Sequence, residues 1–261
     1  MQHANDPPSL AYDRALLLHG VKRNEALTLE EVERYGRESF GAPDYVSIYG
    51  MSPRQWWPRG IRLLGRTAVE CTRDSLADRI GSDVASVAAQ TSANRWTVID
   101  PFAGSCNTLF WILRHLPSAA AIAFESDARV FELTRRNLSS IDSRIDVLHG
   151  DYESLISQIR VPADRAIAVF AAPPWGRALD EAQGLDLRRT TPPVSEIIER
   201  ITREFSGRVL LFAMQVYEKV EAASLAEVRA HMDWSELRVY DINEKGKNHG
   251  VLLGTRGWIP G

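Results

Sequence analysis

From Trp96 onward, short apolar runs alternate with amphipathic stretches, and no other property limits the fold so strongly. The runs are WTVID (96–100), AAIAFE (120–125), RIDVLHG (144–150), RAIAVFAA (165–172) and GRVLLFAMQ (207–215). Between them, residues 106–115, 127–139, 152–160 and 193–205 carry helical periodicity. Strands joined by helices run parallel, and apolar runs with little alternation belong to strands covered on both faces. The pattern stops at the end of the chain. SELRVYDIN (235–243) and HGVLLGTRGW (249–258) are separated only by EKGKN, too few residues for a helical crossover, so the last two strands form an antiparallel hairpin. The expected fold is α/β: a Rossmann-like sheet of seven strands with a C-terminal antiparallel hairpin.

The first third of the 261 residues reads differently. Pro7-Pro8 break any early helix, and Thr28 with Glu31 makes a capping box that starts a short helix in TLEEVERYGRESF. Residues 41–65 mix Tyr45, Tyr49, Trp56 and Trp57 with glycine, proline and arginine, an irregular segment that either staples itself to the main domain or covers a ligand. A single helix is expected over Thr67–Gln90. The organisation inferred is a small, mainly helical N-terminal cap over residues 1–66 and a catalytic domain over residues 67–261.

Composition removes several function classes. The formal net charge of −3 disfavours a general nucleic-acid binder. Two cysteines, Cys71 and Cys106, make neither a disulfide framework nor a four-thiolate metal site, and no histidine spacing suggests a metal. Lacking an apolar run of about 18 residues, and with MQHANDPPSL unlike a signal peptide, the chain is expected to be cytoplasmic with no membrane partner.

In doubly wound sheets, ligands sit beyond the carboxyl ends of the strands, where the strand order switches. The loop after the first strand is DPFAGSCNT, whose small residues let the backbone approach a ligand closely. It lacks the later glycines of a GxGxxG pyrophosphate cradle, and Asp100 would repel pyrophosphate while attracting a sulfonium and an ammonium. Glu125 follows Gly104 by 21 residues, about the spacing at which an acid meets ribose hydroxyls. Asp151 ends the third strand. Each acid alone is more often a helix cap, but one at the end of each of three successive strands favours S-adenosylmethionine over NAD. The expected cofactor set is Asp100, Pro101, Phe102, Ala103, Gly104, Asn107 and Thr108, then Glu125 with Ser126, Asp151 with Tyr152, and Ala172.

The fourth strand ends in AAPPWG (171–176), where two prolines stiffen the backbone ahead of an indole. Trp175, Ala172 and Pro173 are the expected catalytic residues. Trp175, Tyr49 and Trp57 are the expected substrate contacts, and stacking of a flat ring contributes about 1–3 kcal/mol when the ring is a nucleobase. Cys106 is read as packing rather than as a nucleophile. Tyr49 and His249 are the candidates if a general base is needed, although His249 has no clear place from sequence.

DPFAGSCNT, AFESD, GDYESL and AAPPWG fall in the order and spacing of class I S-adenosylmethionine-dependent methyltransferases that carry a Pro-Pro-aromatic motif. They most resemble the trimethylguanosine synthase family of RNA-cap guanine-N2 methyltransferases, as does the segment GLDLRRTTPPVSEI (184–197). The resemblance runs from about Thr67 to the C-terminus. It implies Asp100 and Gly104 beside the methionine moiety, Glu125 at the ribose, Asp151 at the adenine and Trp175 against the flat substrate. Two positions depart from it: Cys106 stands where the family has glycine, and Ala172 stands where it has Ser, Asp or Asn. Only four lysines accompany 27 arginines; Arg54, Arg59, Arg62 and Arg177 are the candidates for a small anion site. An Arg-rich, Ala-rich composition suggests a bacterial source, where no trimethylguanosine cap is made. The sequence therefore favours methylation of a small planar heteroaromatic or amine-bearing molecule, such as a natural-product intermediate. RNA guanine-N2 methylation is the alternative, and a non-catalytic binding module of the same fold is a third reading.

Overall fold

The computed structural model describes residues 11–180, 182–241 and 249–261. The segment MQHANDPPSL with Pro7-Pro8, the last residues of the SELRVYDIN strand and the EKGKN turn lie outside the described residues.

The expected strands form one seven-stranded sheet: β1 (Trp96–Asp100), β2 (Ala120–Glu125), β3 (Ile145–His149), β4 (Ala166–Ala171), β7 (Leu210–Tyr217), β8 (Trp234–Tyr240) and β9 (His249–Arg256). Their order is β3-β2-β1-β4-β7-β9-β8. The first five are parallel, and β9 runs antiparallel to both β7 and β8. The chain leaves β1 toward β2 and returns to β1's other side as β4, so the switch point lies at the carboxyl ends of β1 and β4. Two residues each, β5 (Leu179–Asp180) and β6 (Gly184–Leu185) pair as a separate ribbon too short to leave an alternation in the sequence.

Successive side chains of a strand point to opposite faces, and each face of the sheet has its own buried cluster. Val98, Ala168, Leu211 and Leu253 pack on one face, and Ile99, Val169, Phe212 and Leu252 on the other. The second cluster is closed by Ile197, Ile198 and Ile201 of α9 (Val194–Glu204). The first is closed by α5 (Asp74–Ala88), α6 (Asn107–His115) and the N-terminal segment, whose Leu17, Tyr35, Trp56 and Ile61 are almost completely buried. That segment contains α1 (Arg14–Leu18), α2 (Leu29–Phe40) and α3 (Pro53–Trp56). The capping box on α2 is formed as expected: Glu31 N–H donates to Thr28 Oγ1 (3.2 Å) and Thr28 N–H to Glu31 Oε2 (2.7 Å). The N-terminal residues share one core with the sheet, and the boundary expected at 66/67 falls inside α4 (Gly65–Glu70).

Three helices depart from expectation. The single helix over Thr67–Gln90 is two, α4 and α5, because residues 71–73 are extended and bonded elsewhere. Thr72 O accepts from Asn107 Nδ2 (2.7 Å), Thr72 Oγ1 donates to Gln215 Oε1 (2.7 Å), and Asp74 N–H donates to Ser47 O (3.1 Å). Helical structure after β3 is shorter than 152–160: α8 (Tyr152–Leu155) passes into a 3-10 turn, Ile156–Gln158. The unexpected α10 (Ala222–Arg229) buries only Ser224 and Val228, so it offers no apolar stripe to read. Among the described residues, no helix is long and apolar enough to cross a membrane.

Candidate active site

The first half of the site is built at the carboxyl ends of β1, β2 and β3. Asp100 closes β1 as a buried carboxyl whose Oδ1 accepts the Phe102 N–H at 2.9 Å. Burial pushes its pKa up to about 7 against that hydrogen bond, and the charge of Glu125 adds to the rise. The loop is stitched to β2 through Ala103 N–H and Phe124 O (2.8 Å). Gly104 has a left-handed φ of 48°, and a Cβ there would meet nothing nearer than 3.9 Å, so the loop leaves room above its backbone. Its N–H donates to Glu125 Oε2 (3.0 Å), and Asp127 N–H donates to Oε1 (2.8 Å). Each oxygen of Glu125 retains a lone pair for a further donor. Burial raises the Glu125 carboxyl above its ordinary range, against both backbone hydrogen bonds.

An open cradle over Gly104 beside a buried acid, Asp100, and a half-buried one, Glu125, suits a cationic, hydroxyl-bearing ligand, so these residues fit S-adenosylmethionine. At β3, Asp151 is exposed and caps α8, accepting from Glu153 N–H at 2.9 Å. Tyr152 is buried with its ring edge-on to Phe102 (centroids 5.4 Å, 67°), so the loops after β1 and β3 meet. Pro101 and Thr108 are buried in this region, and Ser126 is exposed.

One loop position, Asn107, differs from its sequence reading, and another, Cys106, agrees with it. Asn107, expected at the cofactor, has its side chain fully engaged by Tyr49 of the N-terminal segment and by the start of α5. Its Oδ1 accepts from Tyr49 N–H (2.7 Å), and its Nδ2 donates to Thr72 O (2.7 Å) and Asp74 Oδ1 (3.1 Å). Cys106 takes a left-handed φ of 56° to cap α6, the conformation in which glycine is unstrained, at a cost of roughly 1–2 kcal/mol for an L side chain. It is buried, and burial holds its thiol far above the usual range, so it is no nucleophile.

The second half lies at the ends of β4, β7 and β9. Ala172 is half-buried, Pro173 buried and Pro174 exposed. The chain then turns tightly, with Ala178 N–H on Trp175 O (2.7 Å) and Thr191 N–H on Pro174 O (3.3 Å). Trp175 is half-buried against two rings that sequence did not place beside it. His249 lies 5.4 Å from it at a 33° tilt, and Tyr217 meets it edge-on at 6.4 Å. The two are cross-strand partners in the β7–β9 register. Gln215, also on β7, places Nε2 3.5 Å from His249 Nδ1. Burial pushes the His249 pKa down to about 4, assisted by the charges of Arg73 and Arg14 and opposed by Glu218. No motif spacing could have announced this cluster, because strand pairing alone brings residues 175, 217 and 249 together.

Tyr49 and Trp57 do not join it. Tyr49 is 4% exposed and donates its hydroxyl to Ser105 O (2.5 Å), with Phe110 edge-on at 5.5 Å. It props the cofactor loop from behind, with no exposed ring face to offer a substrate, and burial holds its phenol well above the usual range, so it stays protonated. Trp57 stacks on the Arg62 guanidinium (3.5 Å) beside Trp56. The expected arginine cluster is likewise partly engaged. Arg54 is paired with Glu33, and Arg62 donates to the Trp57 and Ile61 carbonyls.

Sheet order, terminal hairpin and the acids above β1 and β2 define a class I S-adenosylmethionine-dependent methyltransferase. More narrowly, the chain belongs to the RNA cap guanine-N2 methyltransferase family, whose profile matches residues 95–253. Among solved structures it is similar to the METTL16 methyltransferase domain, with a TM-score of 0.54 and 14% identity over 87% of this chain and 80% of that one. It is also similar to the N-terminal domain of human METTL16 in complex with SAH, with a TM-score of 0.50 and 15% identity over 70% of this chain and 71% of that one. At such identities the likeness is one of fold. No curated protein matches the sequence.

Proposed function

We propose that this methyltransferase acts on the exocyclic 2-amino group of guanine in RNA. The observation that carries the reading is the family match over residues 95–253, which spans both the cofactor loop and the Pro-Pro-Trp platform. The small-molecule substrate favoured by composition has no support from that match, and the RNA alternative takes its place. Both readings share a flat, amine-bearing acceptor, which suits the indole of Trp175. A net charge of −3 weakens non-specific attraction to phosphates, but recognition of one base by stacking needs few phosphate contacts.

S-adenosylmethionine, when bound, supplies the electrophilic methyl group. In this reading Asp100 and Gly104 hold its amino-acid end, Glu125 its ribose hydroxyls, and Asp151 with Tyr152 its adenine. Trp175 fixes the plane of the base, and the rigid turn Ala172-Pro173-Pro174 fixes Trp175. Transfer to a neutral amine nitrogen requires alignment above all, and near-attack positioning contributes several kcal/mol to the barrier reduction. Ala172 brings no side-chain acceptor to the amine, so the surplus proton passes to water after transfer.

The test uses methyl-tritiated S-adenosylmethionine with two RNA transcripts of one sequence, one containing guanosine and the other inosine throughout. Inosine lacks only the 2-amino group. Label in the guanosine transcript alone supports the reading; equal label in both overturns it.

A further inference from the structure

We infer that His249, oriented by Gln215, is a specificity-determining residue that offers its Nε2–H to a ring carbonyl of the base stacked on Trp175. This rests on the guanine reading above and goes beyond it, since it names the ring atom that is read.

Three observations place the donor. First, the ring centroids of the imidazole and the indole are 5.4 Å apart with the planes tilted by 33°, too close for a base to slip between the rings. A flat substrate therefore uses the remaining surface of Trp175, with the imidazole at its margin. Second, the ring is oriented by a relay of side-chain hydrogen bonds from Thr72 through Gln215. Thr72 Oγ1 donates to Gln215 Oε1 (2.7 Å), which turns the Gln215 amide Nε2 toward His249 Nδ1 at 3.5 Å. Facing an N–H donor, Nδ1 is the lone-pair nitrogen, so the proton of the neutral ring resides on Nε2, on the side away from Gln215. Third, the ring stays neutral. Arg73 and Arg14 oppose a positive charge there, Glu218 favours one, and burial outweighs Glu218.

A neutral ring with one outward N–H discriminates by polarity. It accepts a carbonyl and rejects an amino group or a bare C–H at the same position. Guanine presents such a carbonyl at O6, whereas 2-aminopurine keeps the 2-amino group and lacks O6.

Guanosine 5′-monophosphate and 2-aminopurine riboside 5′-monophosphate are titrated into the 261-residue chain by calorimetry in the presence of S-adenosylhomocysteine. The parent is expected to bind the guanine nucleotide about tenfold more tightly, a factor equivalent to about 1.4 kcal/mol. His249→Phe keeps a ring against Trp175 and is expected to lose that preference by weakening guanine binding alone. His249→Gln, which restores an N–H, is expected to recover part of it, a rescue that a purely structural role would not produce. Preserved preference in His249→Phe overturns the assignment while leaving the guanine reading standing. Absence of guanine nucleotide binding by the parent overturns both.

Discussion

Cofactor affinity in this protein should depend on pH through one residue. Asp100 is 2% exposed at the end of β1, and burial together with the neighbouring charge of Glu125 raises its carboxyl to about 7. The ligand-free protein thus carries a half-protonated Asp100 at neutral pH. S-adenosylmethionine brings a sulfonium and an ammonium, which favour the carboxylate, so binding below pH 7 must first expel a proton. The ionised fraction is about 0.9 at pH 8 and about 0.1 at pH 6, so affinity should fall about tenfold between them and level off above pH 8. Isothermal titration across pH 6–8, in buffers of differing ionisation enthalpy, measures both the constant and the proton released. Asp100→Asn should bind more weakly at pH 8 and show no such slope. Glu125→Gln should move the midpoint to lower pH, since one cause of the rise is removed. A parent affinity flat across this range, or a slope that survives in Asp100→Asn, refutes the placement of Asp100 beside the cofactor's positive end.

Other substitutions separate the two halves of the site. Glu125→Ala should weaken S-adenosylmethionine binding by about 1.5–3 kcal/mol, roughly ten- to a hundredfold by calorimetry, because hydrogen bonds to a charged acceptor are lost. Trp175→Ala should bind the cofactor as the parent does and lose most of its turnover, with Trp175→Phe recovering part; full activity in the alanine variant would reduce Trp175 to packing. Asn107→Ala removes three hydrogen bonds that tie α6 to Tyr49, Thr72 and Asp74. Urea unfolding should show a loss of about 2–4 kcal/mol, and an unchanged midpoint would show that apolar contacts alone hold these elements together.

What could be read in advance followed the physics of local signals. A buried strand such as WTVID announces itself because both faces need apolar side chains, and the terminal hairpin because five residues cannot cross a sheet. That Asp100 and Glu125 end β1 and β2 was legible for the same reason, since each apolar run shows where its strand stops. Tyr49 was misjudged because an aromatic among glycines and prolines looks exposed, whereas its hydroxyl is committed to Ser105 and its amide to Asn107. The break between α4 and α5 was invisible because Thr72 leaves the helix for partners 35 and 143 residues away. His249 was beyond reach for a related reason, since only the pairing of β7 with β9 carries it to Trp175. Net charge weighed against RNA because it reports on the whole surface, whereas recognition of one base would need only a stacking face and its neighbours.

The central claim is that the transferred methyl group ends on guanine N2, and the nucleoside itself reports it. RNA treated with the protein and deuteromethyl-labelled S-adenosylmethionine is digested to nucleosides and separated by mass spectrometry against authentic methylguanosine isomers. Label appearing as N2-methylguanosine, and disappearing in Trp175→Ala, is the predicted result. Label on another nucleoside, or on a small-molecule extract in place of RNA, would contradict it.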